Sequence, residues 1–136
     1  MNTMFRRKQK TDERVEHRAR ETERMTAAPL LIDAFPHVRS LSMELGQFDG
    51  DGVTRISQMK QSLNLKNASS ILRIHCGNMD CVRGDFDLTQ NLAQAAASRR
   101  VNAAGELRCQ GWRNKSVIEK VRCGRILRYK LILHYA

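Results

Sequence analysis

Four cysteines carry the strongest chemical signal in this sequence: Cys76, Cys81, Cys109 and Cys123. A thiolate is both a nucleophile and a soft metal ligand. Four of them match the donor set of a tetrahedral zinc ion, with sulfur at about 2.3 Å. Cys76 and Cys81 enclose Gly77-Asn78-Met79-Asp80; Cys109 precedes Gln110-Gly111, and Cys123 precedes Gly124. Each cysteine therefore falls at the end of a predicted strand, next to a glycine or a turn. Short loops of that kind let sulfurs converge, and the glycines let backbone N–H groups approach them. Three states compete for these thiols. The leading one is a shared zinc site. The others are four reduced structural or surface thiols, and a disulfide or redox pair. The spacing departs from the usual zinc ribbon, because the first gap is longer than C-x2-C and thirteen residues separate the second pair. Cys76 also lies on an apolar strand face, as buried free cysteines often do. His75 adjoins Cys76, but strand alternation points it to the opposite face. Nothing nearby orients it as a base for a cysteine nucleophile. With no phosphate-binding glycine loop and no paired-carboxylate motif, the sequence shows no recognisable catalytic constellation, and a non-enzymatic protein is expected.

Charge supplies the second signal. The net charge of the 136-residue chain is +10. Residues 99–136 hold ten basic side chains against Glu106 and Glu119 alone, whereas residues 26–98 carry a net charge of −1. A basic segment of this kind attracts polyanions, RNA or DNA above all. The candidate contacts are Arg108, Arg113, Lys115, Lys120, Arg122, Arg125, Arg128 and Lys130, with Trp112 as a stacking platform or, equally, a core residue. Arg128 and Lys130 lie two apart on the last predicted strand and so point the same way. The competing reading is a protein-interaction or structural module with no nucleic-acid role, whose N-terminal tail docks on a protein partner.

The elements that must position these groups follow from periodicity. Residues 5–25 are charged, rich in helix formers and almost without apolar residues. Glu13–His17 and Glu16–Arg20 stand at helical spacing. Residues 1–36 are accordingly expected to be a basic tail and connector, mobile or marginally helical, with Pro29 and Pro36 marking its end. Residues 37–136 are expected to form a single α+β domain. Its core is a mixed or antiparallel sheet of four to six strands, with one main helix, about residues 88–100, packed on one face. Leu41, Met43 and Leu45 alternate with polar residues. Asp49-Gly50-Asp51-Gly52 signals a turn, not a calcium loop, because the closing Glu is missing. Val53–Leu63 completes a hairpin, Ser70–Cys76 and Ala104–Cys109 read as further strands, and Ile126–Tyr135 alternates cleanly. Asp87 is the expected N-cap of the helix. Leu88, Leu92, Ala95 and Ala96 form its buried stripe, and Arg99 and Arg100 stand in its last turn.

From Ser70 to Ala136 the chain resembles a group of small uncharacterised bacterial proteins. The resemblance rests on Cys76-Gly77-Asn78 with Cys81, on Gly84-Asp85-Phe86-Asp87-Leu88, on Gly105-Glu106-Leu107-Arg108-Cys109-Gln110-Gly111, and on Cys123-Gly124-Arg125-Ile126-Leu127-Arg128-Tyr129. It implies that the four cysteines act as one constellation, and it implies no activity. No apolar run reaches the roughly 20 residues of a membrane span, and the charged N-terminus is unlike a signal peptide. No membrane partner is expected, and the cytoplasm is the expected location.

Overall fold

The computed structural model describes residues 3–78, 81–82, 84–113 and 121–136. Lys115 and Lys120 lie outside the described residues, as do the side chains of Trp112 and Arg113. In chain order the elements are α1 (Thr3–Ala27), α2 (Leu31–Ala34), β1 (Val38–Phe48), β2 (Arg55–Leu63), β3 (Arg73–His75), β4 (Cys81–Val82), β5 (Asp85–Asp87), α3 (Thr89–Ala97), β6 (Asn102–Arg108), β7 (Trp112–Arg113), β8 (Val121–Arg122) and β9 (Ile126–Tyr135).

Alternation builds the main sheet, and the fold is α+β. Four strands pair antiparallel in the order β2-β1-β9-β6. The cleanly alternating last strand is thus an inner strand, paired on both sides. Leu41, Met43 and Leu45 of β1 and Leu127, Leu131 and Leu133 of β9 are buried on one face. Glu44, Arg128, Lys130 and His134 alternate with them and turn to the other. Leu92, Ala95 and Ala96 of α3 join the buried cluster, with Leu72, Phe86 and Leu88. Tyr129 shows how closely sheet and helix approach. It stands across from Gly105, where a Cβ would lie 2.6 Å from the Tyr129 hydroxyl oxygen. That hydroxyl accepts a hydrogen bond from the Asn91 side-chain amide of α3 at 2.8 Å.

The Asp-Gly-Asp-Gly stretch is a turn. Asp51 Oδ1 accepts the N–H groups of Val53 (2.9 Å) and Thr54 (3.0 Å), and Oδ2 accepts the Thr54 hydroxyl (2.8 Å). These bonds, led by that of the Thr54 backbone, hold the Asp51 carboxyl below its usual pKa. Because the loop uses Val53 and Thr54, β2 starts at Arg55.

Both ends of the main helix differ from expectation. Leu88 occupies the N-cap position without a side-chain bond. Asp87 ends β5 and accepts the Thr89 N–H at 2.9 Å from one residue upstream. The Thr89 hydroxyl accepts the Leu72 N–H at 2.9 Å, which ties the helix start to the segment leading into β3. Ser98 caps the C-terminus, so Arg99 and Arg100 lie beyond the helix. The Arg99 N–H donates to Ala96 (3.2 Å) and the Arg100 N–H to Ala95 (2.9 Å), the two bonds of a Schellman motif. That motif needs a left-handed residue, and Arg99 supplies it at φ 49°. Glycine would take this conformation without the Cβ penalty of roughly 1 kcal/mol. Arg99→Gly is therefore expected to stabilise the fold by about 0.5–1 kcal/mol. The urea midpoint should rise with an unchanged m value; a fall would mean that the Arg99 contact with the Tyr135 ring, 5.9 Å from the centroid, outweighs the strain.

Among the described side chains of α1, charged ones make the attachment to the sheet. Arg73 of β3 pairs with Glu21 of α1 (2.8 Å) and with Asp85 of β5 (3.0 Å); His17 reaches Asp85 at 3.0 Å and Arg24 reaches Asp87 at 3.9 Å. The Ser69 hydroxyl donates to the Met25 carbonyl at 2.8 Å. Between the prolines, Leu31 of α2 is buried in the core at 1% exposure, a core residue in a stretch that reads as connector. No helix among the described residues is long and apolar enough to cross a membrane.

Candidate metal centre

Two small sheets and the edge strand β6 of the main sheet bring the cysteines together. β3 pairs with β5, and β4, β7 and β8 form a three-stranded sheet. Cys76 directly follows β3, Cys81 opens β4, Cys109 follows β6 and Cys123 follows β8. Trp112 and Arg113 form β7 between β4 and β8. Backbone bonds fix the approach of each loop. The Cys109 N–H donates to the Arg125 carbonyl (2.8 Å), the Cys123 N–H to Gly111 (2.9 Å) and the Cys81 N–H to Asn78 (3.0 Å).

The result is one compact set of sulfurs. All four Sγ atoms lie within 4.8 Å of one another, with Cys76–Cys123 at 3.7 Å and Cys81–Cys109 at 3.5 Å. A tetrahedral site with metal–sulfur bonds of about 2.3 Å has edges of about 3.8 Å. The separations thus suit a shared ion, and they are too long for disulfides, whose S–S bond is about 2.05 Å. All four cysteines are free of disulfides and buried, none more than 5% exposed. His75 is outside the set. Its side chain is 55% exposed, and its ring nitrogens face Asp85 and Arg18.

Four thiols packed this closely cannot all ionise unaided. Hydrogen bonds from Cys109, and then from Cys81, hold Cys76 well below the ordinary thiol pKa. Its bond with Cys109 pushes Cys81 far up, and the bond with Cys76 raises Cys109. A divalent cation held by Cys76, Cys81, Cys109 and Cys123 would remove that restriction by displacing thiol protons. Amide donors already face the sulfurs. The Asn78 backbone bonds to Cys76, the Gly111 backbone bonds to Cys109, and the Asn78 side-chain amide donates to Cys123 Sγ at 3.4 Å.

The sequence already sets Gly111 beside a cysteine, whereas the approach of Gly84 and the bracing by Gln47 are hidden in it. Gly84 and Gly111 press their backbones against the sulfurs and against each other. A Cβ on Gly84 would lie 2.1 Å from Cys81 Sγ and 2.3 Å from Cys109 Sγ; one on Gly111 would lie 2.6 Å from Cys81 Sγ and 2.6 Å from Gly84 Cα. Gln47 of β1 braces the first cysteine. Its Nε2 donates to the His75 carbonyl and its Oε1 accepts the Gly77 N–H, both at 2.9 Å, so one side chain satisfies the backbone on either side of Cys76. The available signal is register: Gln47 continues the buried row Leu41, Met43, Leu45 where a leucine is expected. Gln47→Leu keeps the volume and strands both backbone groups. A loss of about 1–3 kcal/mol is expected in chemical denaturation, together with faster release of bound metal.

The structure divides the basic candidates into two groups. Arg108 donates to the Gly124 carbonyl (3.4 Å) and Arg122 to the Gln110 carbonyl (2.6 Å). Arg125 Nη1 lies 3.3 Å from where a Gly77 Cβ would stand. These three arginines border the cysteine loops, where their charge opposes that of a tetrathiolate metal site. Arg128 and Lys130 stand apart, on the open face of the main sheet. No protein family, curated protein or solved structure matches this chain.

Proposed function

We propose that the chain is a small non-enzymatic binding module, stabilised by one zinc ion on Cys76, Cys81, Cys109 and Cys123, that contacts RNA or DNA through basic residues of its C-terminal third. The closed set of four buried sulfurs carries the first half. Four protein thiolates complete tetrahedral zinc and leave no position for a reacting water, which is the pattern of a structural site. Soft sulfur-only ligation favours zinc over magnesium, calcium or manganese. Reduced thiols fit the cytoplasm. The second half rests on charge: +8 over residues 99–136. Phosphate contacts of this kind bring affinity with little sequence preference and a steep salt dependence.

Both halves are open to experiment on the full chain. Metal analysis should return one zinc per chain. Fluorescence anisotropy with labelled RNA and DNA should show binding at low salt that falls steeply as salt rises. Metal-free, fully folded protein would defeat the zinc half. Failure to bind either polymer at low salt would leave the protein-interaction module as the better account.

A further inference from the structure

Arg128 is held in place far more firmly than an ordinary surface cation. Its cross-strand partner on β1 is Gly46, and the space above that glycine is taken by the Phe48 ring: a Cβ on Gly46 would lie 3.0 Å from Phe48 Cε2. The Arg128 guanidinium lies over the ring, 4.4 Å from its centroid. Its Nε donates to Glu106 Oε2 at 2.9 Å and its Nη2 to the Gly52 carbonyl at 2.7 Å. Aromatic ring, carboxylate and carbonyl fix the plane, yet the side chain remains 48% exposed.

Its surroundings form a shallow basic dish on the sheet face opposite the core, lined by Glu44, Gly46, Phe48, Arg55, Arg128 and Lys130. At one end of this face the Gly52 turn packs over Ile126, which is buried; beyond it the β2 and β9 side chains Gln58, Lys60, Arg128 and Lys130 are all exposed. Its two acids are engaged, Glu44 with Lys60 at 3.4 Å and Glu106 with Arg128 at 2.9 Å. Arg55 comes from a part of the sequence with no basic excess, and the β1–β2 hairpin delivers it to the same dish.

We propose that this exposed dish binds single-stranded nucleic acid, with the Arg128 guanidinium as a fixed stacking plate for one base and Lys130 and Arg55 as phosphate contacts. The inference rests on the nucleic-acid reading above and adds to it the surface and the strandedness. Exposed bases of single strands stack on guanidinium planes, whereas a duplex keeps its base faces buried. A plate already oriented on Phe48 loses little further freedom on binding.

Two acid removals on this face separate a positioned plate from plain electrostatics. Glu44→Ala and Glu106→Ala each delete one negative charge, so charge alone makes both bind tighter. If Glu106 holds the plate, Glu106→Ala instead weakens binding of a labelled oligouridine roughly fivefold or more, the range for one stacked base, while Glu44→Ala tightens it. Arg128→Lys keeps the charge and loses the plane, and should weaken binding similarly. Lys66→Ala, in an exposed loop, serves as the general charge control. Single strands should bind better than the matching duplex. Equal tightening by both acid removals, or wild-type affinity in Arg128→Lys, would overturn this surface while leaving nucleic-acid binding intact. Absence of binding to any oligonucleotide at low salt would overturn both and favour a protein partner on this face.

Discussion

Stripping the metal from the purified protein is expected to collapse the cysteine loops and lower the melting temperature by about 15 °C or more. Structural zinc in small sites binds with about 10–16 kcal/mol, as much as the whole stability of a typical domain. On the proposed zinc reading, part of that energy would go into ordering β4, β7 and β8, whose two-residue strands hold little of the core. The main sheet and α3 have their own apolar cluster, including Leu131, Leu133 and Leu92 at 1% exposure or less. The expected end state is therefore a loosened domain with its main sheet retained. Circular dichroism should keep most of its strand signal, while hydrogen exchange accelerates around Cys81, Cys109 and Cys123. Acid should act in the same direction, because protons compete with metal for thiolates. A melting temperature indifferent to a strong chelator, with the metal demonstrably gone, would show that the thiols pack without need of an ion.

Gly84→Ala and Gly111→Ala should be the most damaging conservative substitutions in the protein. The added methyl at residue 84 would sit 2.1 Å from one cysteine sulfur and 2.3 Å from another. The sulfurs cannot retreat without abandoning their shared geometry, so the backbone must move. Losses of about 3 kcal/mol or more are expected, at or above the upper end for overpacking, and metal affinity should fall with stability. Gly50→Ala is the matched control. It meets only the Gly124 carbonyl at 3.4 Å, an ordinary contact, and Gly50 has no left-handed backbone to protect. Comparable denaturation midpoints for Gly84→Ala and Gly50→Ala would mean that the close approach at the sulfurs has no energetic consequence.

The contrast between those glycines marks where sequence reasoning stops. Ile126–Tyr135 reads correctly because a strand with one buried face repeats every two residues, a local pattern. Leu88, Leu92, Ala95 and Ala96 read correctly for the same reason at helical spacing. The cysteines stand out by type, and their convergence in one cluster within 4.8 Å agrees with treating them as one constellation. What stays hidden is pairing across long stretches of chain. Gln47 looks like a polar interruption of β1 until the structure sets it beside His75 and Gly77. Gly84 looks like any loop glycine until Cys109 arrives from 25 positions later. Arg128 and Lys130 read as twins by strand parity, yet Phe48, Glu106 and Gly52 hold only Arg128. Arg99 and Arg100 suit a helix end by charge, but the Schellman turn places them past it.

X-ray absorption at the zinc edge, on protein purified without chelator, tests the central claim most directly. The account predicts one zinc per chain with a single shell of four sulfurs at about 2.3 Å, reduced to a mixed or lost shell when Cys81 or Cys123 is replaced by serine. Folded protein with no bound metal would contradict it, and so would a shell containing nitrogen or oxygen in place of any of the four sulfurs.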